Sequence, residues 1–124
     1  MNKYIFYLFF ISSAYATCSC ERGKRIEELG RHSWDLIHSI SANYPENPDY
    51  YDKFTTYQFI QTIASYYPCT MCRNHFNQNI NKYGIHLNNR TDMSHWTCFL
   101  HNKVNEMKNK PFFDCESVIH KYTL

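Results

Sequence analysis

At 124 residues the chain is long enough for one modest hydrophobic core and too short for two ordinary domains. Apolar residues supply 44% of it and aromatic residues 18%, which excludes a disordered chain and leaves bulky rings for a core or a flat ligand pocket. A net charge of +2, with acidic and basic residues interspersed, excludes the concentrated basic stripe of a nucleic-acid binder.

The N-terminus has the layout of an export signal. Met1-Asn2-Lys3 precedes the apolar run Tyr4 to Ile11, and Ala14-Tyr15-Ala16 has the small-x-small form of a cleavage site. The run is too short for a conventional membrane-spanning helix; a strand or a buried helix is the other reading. A signal peptide over 1–16 is therefore expected. The secretory pathway is the expected destination, with the endoplasmic reticulum lumen foremost and secretion as the alternative. Six cysteines in so short a chain fit that oxidising setting. Residues 17–26 follow as a flexible polar segment with Cys18 and Cys20, and 27–124 as the folded domain.

A first helix is predicted from about Glu27 to Tyr44. Leu29, Leu36, Ile37, Ile40 and Tyr44 recur at helical spacing toward a core, and Arg31, Trp34 and His38 share a neighbouring stripe. Pro45-Glu46-Asn47-Pro48-Asp49 stops it. A second helix covers Tyr50 to Tyr66, with Phe54, Tyr57, Ile60, Ile63, Ala64 and Tyr67 inward. Pro68 interrupts it, a third helix runs from Thr70 to Ile80, and Gly84 marks the next turn. The fourth spans Asp92, its N-cap, to about Lys108, with Trp96, Phe99, Leu100, Val104 and Met107 apolar. Pro111 ends it, and Cys115 to Tyr122 makes a short fifth. Short connections imply an all-α fold: an antiparallel four-helix bundle with a short fifth helix, stabilised by disulfides. The three glycines supply no Rossmann or Walker phosphate loop.

The chemistry concentrates in the cysteines. Cys69-Thr70-Met71-Cys72 can close a short disulfide at a helix start, where unpaired backbone donors favour thiolate. An inert disulfide or half a zinc site are the competing readings. His75 and His101 follow Cys72 and Cys98 at helical spacing, yet no second compact pair completes a four-ligand set, so no metal is expected. Arg73 stands where haem attachment needs histidine, and no strand–helix alternation supports a thioredoxin domain. Cys98 and Cys115 look structural: a bridge would tie the fifth helix to the fourth, worth about 2–4 kcal/mol. Cys18-Ser19-Cys20 suits a mobile pair that carries electrons, or one that merely tethers the terminus.

Three ordered fragments resemble the Erv/ALR family of FAD-linked sulfhydryl oxidases. They are Leu29-Gly30-Arg31-His32-Ser33-Trp34-Asp35-Leu36-Ile37-His38, then Tyr67-Pro68-Cys69-Thr70-Met71-Cys72, then His101-Asn102-Lys103-Val104-Asn105 with Lys110-Pro111 and Phe113-Asp114-Cys115. The resemblance covers most of 29–122. It implies a helical bundle holding FAD as a homodimer, with Cys69 and Cys72 as the active disulfide and Cys72 nearer the flavin. It also makes the Cys98–Cys115 bridge structural. Gly30, Arg31, Trp34, His38, His101, Asn102, Asn105, Lys110 and Tyr122 fall at its cofactor-contacting positions. Their chemistry agrees: flat rings at Trp34 and Tyr122, cations for pyrophosphate at Arg31 and Lys110, and amides and imidazole around a heterocycle. Lys108 departs from the family, which commonly has an apolar residue there. The secretory-pathway branch also carries a shuttle pair after the fifth helix, whereas this sequence ends at Leu124 without one, so Cys18 and Cys20 are the candidate shuttle.

The implied activity is oxidation of thiol-containing proteins, or of a small disulfide carrier, with molecular oxygen as acceptor and hydrogen peroxide as product. The competing functions are a disulfide-stabilised helical interaction module and a flavin-free exchange factor. Asn89-Arg90-Thr91 also has the form of a glycosylation acceptor.

Overall fold

The computed structural model describes residues 3–124, with side chains from Cys20 onward. Among the described residues there are five α-helices: α1 (Lys3–Ala42), α2 (Tyr50–Tyr66), α3 (Thr70–Tyr83), α4 (Arg90–Met107) and α5 (Cys115–Tyr122). The all-α, disulfide-stabilised bundle expected from the pattern is the fold. The chain forms two compact units, Met1–Ser33 and Trp34–Leu124.

The expected signal peptide over 1–16 and Cys18 lie outside the residues whose side chains are described. Among the described residues no helix is long and apolar enough to cross a membrane. Residues 21–26, expected as a flexible lead-in, are helical. Glu21 with Arg25 and Lys24 with Glu28 stand four apart, a spacing that supports a helix, and the single Gly23 costs only about 1 kcal/mol.

In the second unit, neighbouring helices run antiparallel. His38 meets His101, Ser94 donates to the Ser41 carbonyl at 2.9 Å, and Arg90 Nε donates to the Tyr44 carbonyl at 2.6 Å. As α1 advances, α4 recedes. The α2–α3 hairpin shows the same sense through Ala64 with Asn77 and Tyr67 with Arg73. Ile60, Ala64, Ile80, Trp96 and Leu100 form the core, with Trp34, Phe59, Phe76, Ile85 and Leu87 packed on it.

The caps explain where the helices start. Asp49 and Asp52 make a reciprocal box at α2, each carboxylate accepting the other's backbone N–H. The N-cap of α4 is Asn89, not the expected Asp92: Asn89 Oδ1 accepts from Asp92 N at 2.8 Å. Asp92 instead receives Asn88 N and His86, which holds the preceding turn. Gly84 ends α3 at φ +78°, a left-handed backbone that favours glycine, and its carbonyl accepts Trp96 Nε1–H at 2.8 Å.

The inward face of α1 corrects the apolar reading. Leu29 and Leu36 are exposed, Leu36 to 55%, whereas His38, Ser41 and Ala42 are buried. His38 and Ser41 can be inside because each side chain is satisfied, His38 by His101 on α4 and the Ser41 hydroxyl by donating to the His38 carbonyl of its own helix. Phe54 and Tyr57 on α2, and Phe99 and Met107 on α4, are likewise exposed, while Met93 is buried in their place.

Candidate functional site

The first half of the site is built at the α2–α3 junction. Tyr67, Pro68 and Cys69 break the helical path, and Cys69 becomes the N-cap of α3 in extended backbone. Cys69 and Cys72 are joined as a disulfide. The Cys69 sulfur accepts from Cys72 N at 3.2 Å, so a backbone donor already points at the atom that would carry charge on reduction. Cys69 is 8% exposed and Cys72 is half-buried. Exposed Tyr66 and Met71 flank the pair.

The second half is a stack of flat rings in the second unit. Trp34 lies parallel to His101 with ring centres 4.2 Å apart, and Tyr122 stacks on His38 at 5.1 Å. His38 Nε2 and His101 Nδ1 are 2.9 Å apart, and Phe113 meets His101 edge-on. Burial lowers His38 to about 4, only partly offset by Asp35. Burial, then the neighbouring His38, lowers His101 to about 3. Both rings are therefore neutral near pH 7, and one N–H donates to the other ring's lone pair. Tyr122 is fixed by donating its hydroxyl to Asp35.

A third element holds the α4–α5 seam. Cys98 and Cys115 form the second disulfide, with Cys98 fully buried. Asn102 accepts Phe113 N at 2.8 Å and donates to Phe113 O at 3.1 Å, and its amide lies against both sulfurs. Asn102 thus fixes the segment before α5. Asn105 is buried, bonds Asn102, and its carbonyl accepts Lys110 N at 2.8 Å.

The structure brings Trp34, His38, His101 and Tyr122 together, with Asn102 and Asn105 on the same face of α4 and Lys110 exposed just beyond it. Gly30 and Arg31 belong to the first unit. A Cβ at Gly30 would meet open space, so packing makes no demand for glycine there. Cys20 is exposed and makes no disulfide with another described residue. Among the described residues no His, Cys, Asp and Glu cluster could hold a metal ion. Asp35, Phe113, Arg73 and Asn77 were absent from the expected site. Asp35 and Phe113 carried a signal, as parts of the first and third fragments.

The rings, the amides and an outlying cation suit a ligand with a flat heterocycle and a phosphate. A family model described as the Erv1 / Alr family matches residues 31–123. The chain is 39% identical over 90 residues to the "Mitochondrial FAD-linked sulfhydryl oxidase ERV1" of Saccharomyces cerevisiae, covering 73% of this chain and 48% of that one. It is 36% identical over 96 residues to "FAD-linked sulfhydryl oxidase ERV2" of the same yeast, covering 77% and 49%. The chain therefore spans about half the length of these relatives. Among solved structures, the FAD binding domain of Erv1 from S. cerevisiae superimposes with a TM-score of 0.75 at 36% identity, covering 77% of this chain and 91% of that one. These findings overturn the expected secretory-pathway or lumenal destination. Where the relatives' names state a compartment, as for the S. cerevisiae and Schizosaccharomyces pombe oxidases, it is the mitochondrion. A short apolar run carries hydropathy but no address.

Proposed function

The chain belongs to the Erv1 / Alr family, and on that footing we propose that it is an FAD-dependent thiol oxidase that makes disulfides in thiol-containing proteins or in a small disulfide carrier. The observation that supports this most is a helix-start disulfide in the same small unit as a stack of neutral rings. Trp34, His38, His101 and Tyr122 would hold the flat parts of FAD, Asn105 would bond its heteroatoms, and Lys110 would meet its pyrophosphate; Arg31 and Gly30 are assigned to the cofactor by family resemblance alone. Asn102 contributes by fixing Phe113 and the chain after Lys110. When bound, FAD supplies a two-electron acceptor from which oxygen would take the pair as hydrogen peroxide.

The chain's own steps are thiol exchange. A thiolate attacks the Cys69 sulfur, the bond to Cys72 breaks, and Cys72 leaves as the thiolate that would pass electrons to bound FAD; a second thiol then releases Cys69. The Cys72 N–H that points at the Cys69 sulfur favours thiolate there when Cys69 is released. Accessibility alone ranks the two sulfurs the other way, with Cys72 the more exposed, so the order of attack needs its own measurement. Cys18 and Cys20 are the proposed shuttle between a client and this pair. A homodimer is part of the same reading, and exposed Leu36, Tyr50 and Tyr51 are apolar surface that a second copy would cover.

The test is purification followed by turnover with dithiothreitol. The expected outcome is a yellow protein that consumes oxygen. Cys69→Ser or Cys72→Ser should abolish turnover, while Cys18→Ser or Cys20→Ser impairs protein clients only. Cys72→Ser should trap a mixed disulfide on Cys69. A folded, colourless protein that stays inactive with added FAD would leave the helical interaction module standing; equal loss in all four variants would remove the shuttle.

A further inference from the structure

Two side chains grip the Cys69–Cys72 loop, and the exchange chemistry above leaves them without a role. Arg73 directly follows the second sulfur. Its guanidinium donates to the Tyr67 carbonyl at 2.7 Å, and its backbone N–H donates to the Cys69 carbonyl at 2.9 Å. One turn later, the Asn77 amide donates to the Ala64 carbonyl at 2.6 Å and the Arg73 carbonyl at 2.9 Å. Ala64 and Tyr67 lie at the end of α2, where carbonyls lack partners within the helix. Capping accounts for Asn77 in full, since an amide is neutral. It does not account for a cation at 73, because a neutral donor could serve the same carbonyl.

On the reading of this pair as the entry disulfide, we propose that Arg73 is a positioning residue for the exchange: pinned by the Tyr67 carbonyl, it fixes a positive charge beside the redox loop and makes the pair a readier electron acceptor. In the exchange a client thiolate attacks one sulfur of the pair. The Cys69–Cys72 bond breaks, and the partner sulfur departs with the electron pair as a thiolate. A second client thiolate then attacks the client sulfur of the mixed disulfide and releases the remaining cysteine as a thiolate. The client is oxidised by two electrons, the pair is reduced by two, and the protons of the client thiols pass to solvent or to the new thiolates. Negative charge therefore appears on a loop sulfur at each departure, and a fixed cation favours the reduced side. The carbonyl contact matters because an untethered arginine spreads its charge over many rotamers in screening solvent.

The experiment is anaerobic equilibration of the full chain with a dithiothreitol series at fixed pH. Each cysteine pair is read separately by alkylation and peptide mass. Arg73→Gln is expected to shift the Cys69–Cys72 equilibrium toward the disulfide by about three- to tenfold, or roughly 15–30 mV. Arg73→Lys, which keeps the charge, should restore at least half of that shift. Asn77→Ala should lower Tm and leave the equilibrium in place. Wild-type protein taken to 1 M salt gives a second reading that needs no variant, and it should move in the same direction as Arg73→Gln. An unmoved equilibrium in folded Arg73→Gln, an equal shift in Arg73→Lys, or a flat salt profile overturns the proposal. None of these readouts uses flavin turnover. A failed oxidase reading would therefore show as absent flavin with the Arg73 shift intact.

Discussion

The paired imidazoles of His38 and His101 show how a polar residue becomes part of an interior. His38 is buried and His101 half-buried, each is held neutral, and each satisfies the other across 2.9 Å. The linkage sign follows from their lowered values. Above about pH 6.5 folded and unfolded chains are both neutral at these rings. Below it the unfolded chain takes up protons that the folded pair refuses until about pH 4 for His38 and about 3 for His101. Tm is therefore expected to fall as pH drops from about 6.5 toward 4. His101→Gln, which keeps a donor and removes one titrating ring, should flatten that limb in a pH series of thermal melts. His95 has the opposite sign: its bond to Glu116 raises its pKa, so its contribution is complete below about pH 6.5 and fades as pH rises through the raised value. That pair is solvent-exposed, worth at most about 0.5 kcal/mol, and leaves the acid limb to the paired imidazoles.

At the level of elements, local punctuation carried most of the information. Tyr50–Tyr66 and Cys115–Tyr122 fall at their expected bounds beyond proline-containing loops, and the structure adds their aspartate caps, Asp49 and Asp114, which act within a turn of where they sit. The start of α4 was misplaced because Asn89 and Asp92 both resemble caps in sequence, and only geometry tells which accepts which N–H. Asn89→Ala should cost about 1 kcal/mol in a denaturant titration, through loss of the bond to Asp92 N. The inward face of α1 was legible only in part. Hydropathy selects Leu36 and passes over His38 and Ser41, since it cannot register that His38 has a partner on α4 and the Ser41 hydroxyl one within α1. The site divides in the same way. Cys69, Cys72 and the ring residues were visible as residue types at spacings. Arg73 and Asn77 were not, because their meaning lies in carbonyls at the end of the preceding helix.

For the molecule as a whole, the α4–α5 bridge compensates for a small core. Cys115→Ala is expected to lower stability by about 2–4 kcal/mol, seen as a lower Tm, and to loosen the chain around Phe113 that Asn102 holds. The destination read from the N-terminus is corrected by the relatives' names and not by the fold, since composition records only that a segment is apolar.

A protein that handles thiols must survive contact with its own reagents. The two disulfides divide that burden by what surrounds the departing sulfur. Cys98 is sealed from solvent, with the Asn102 amide against its bridge, while Cys72 is within reach at the start of α3. A nucleophile that reaches half-buried Cys115 would have to expel the Cys98 thiolate into that sealed site, where desolvation makes it a poor leaving group, so the scaffold resists scrambling while its neighbour cycles.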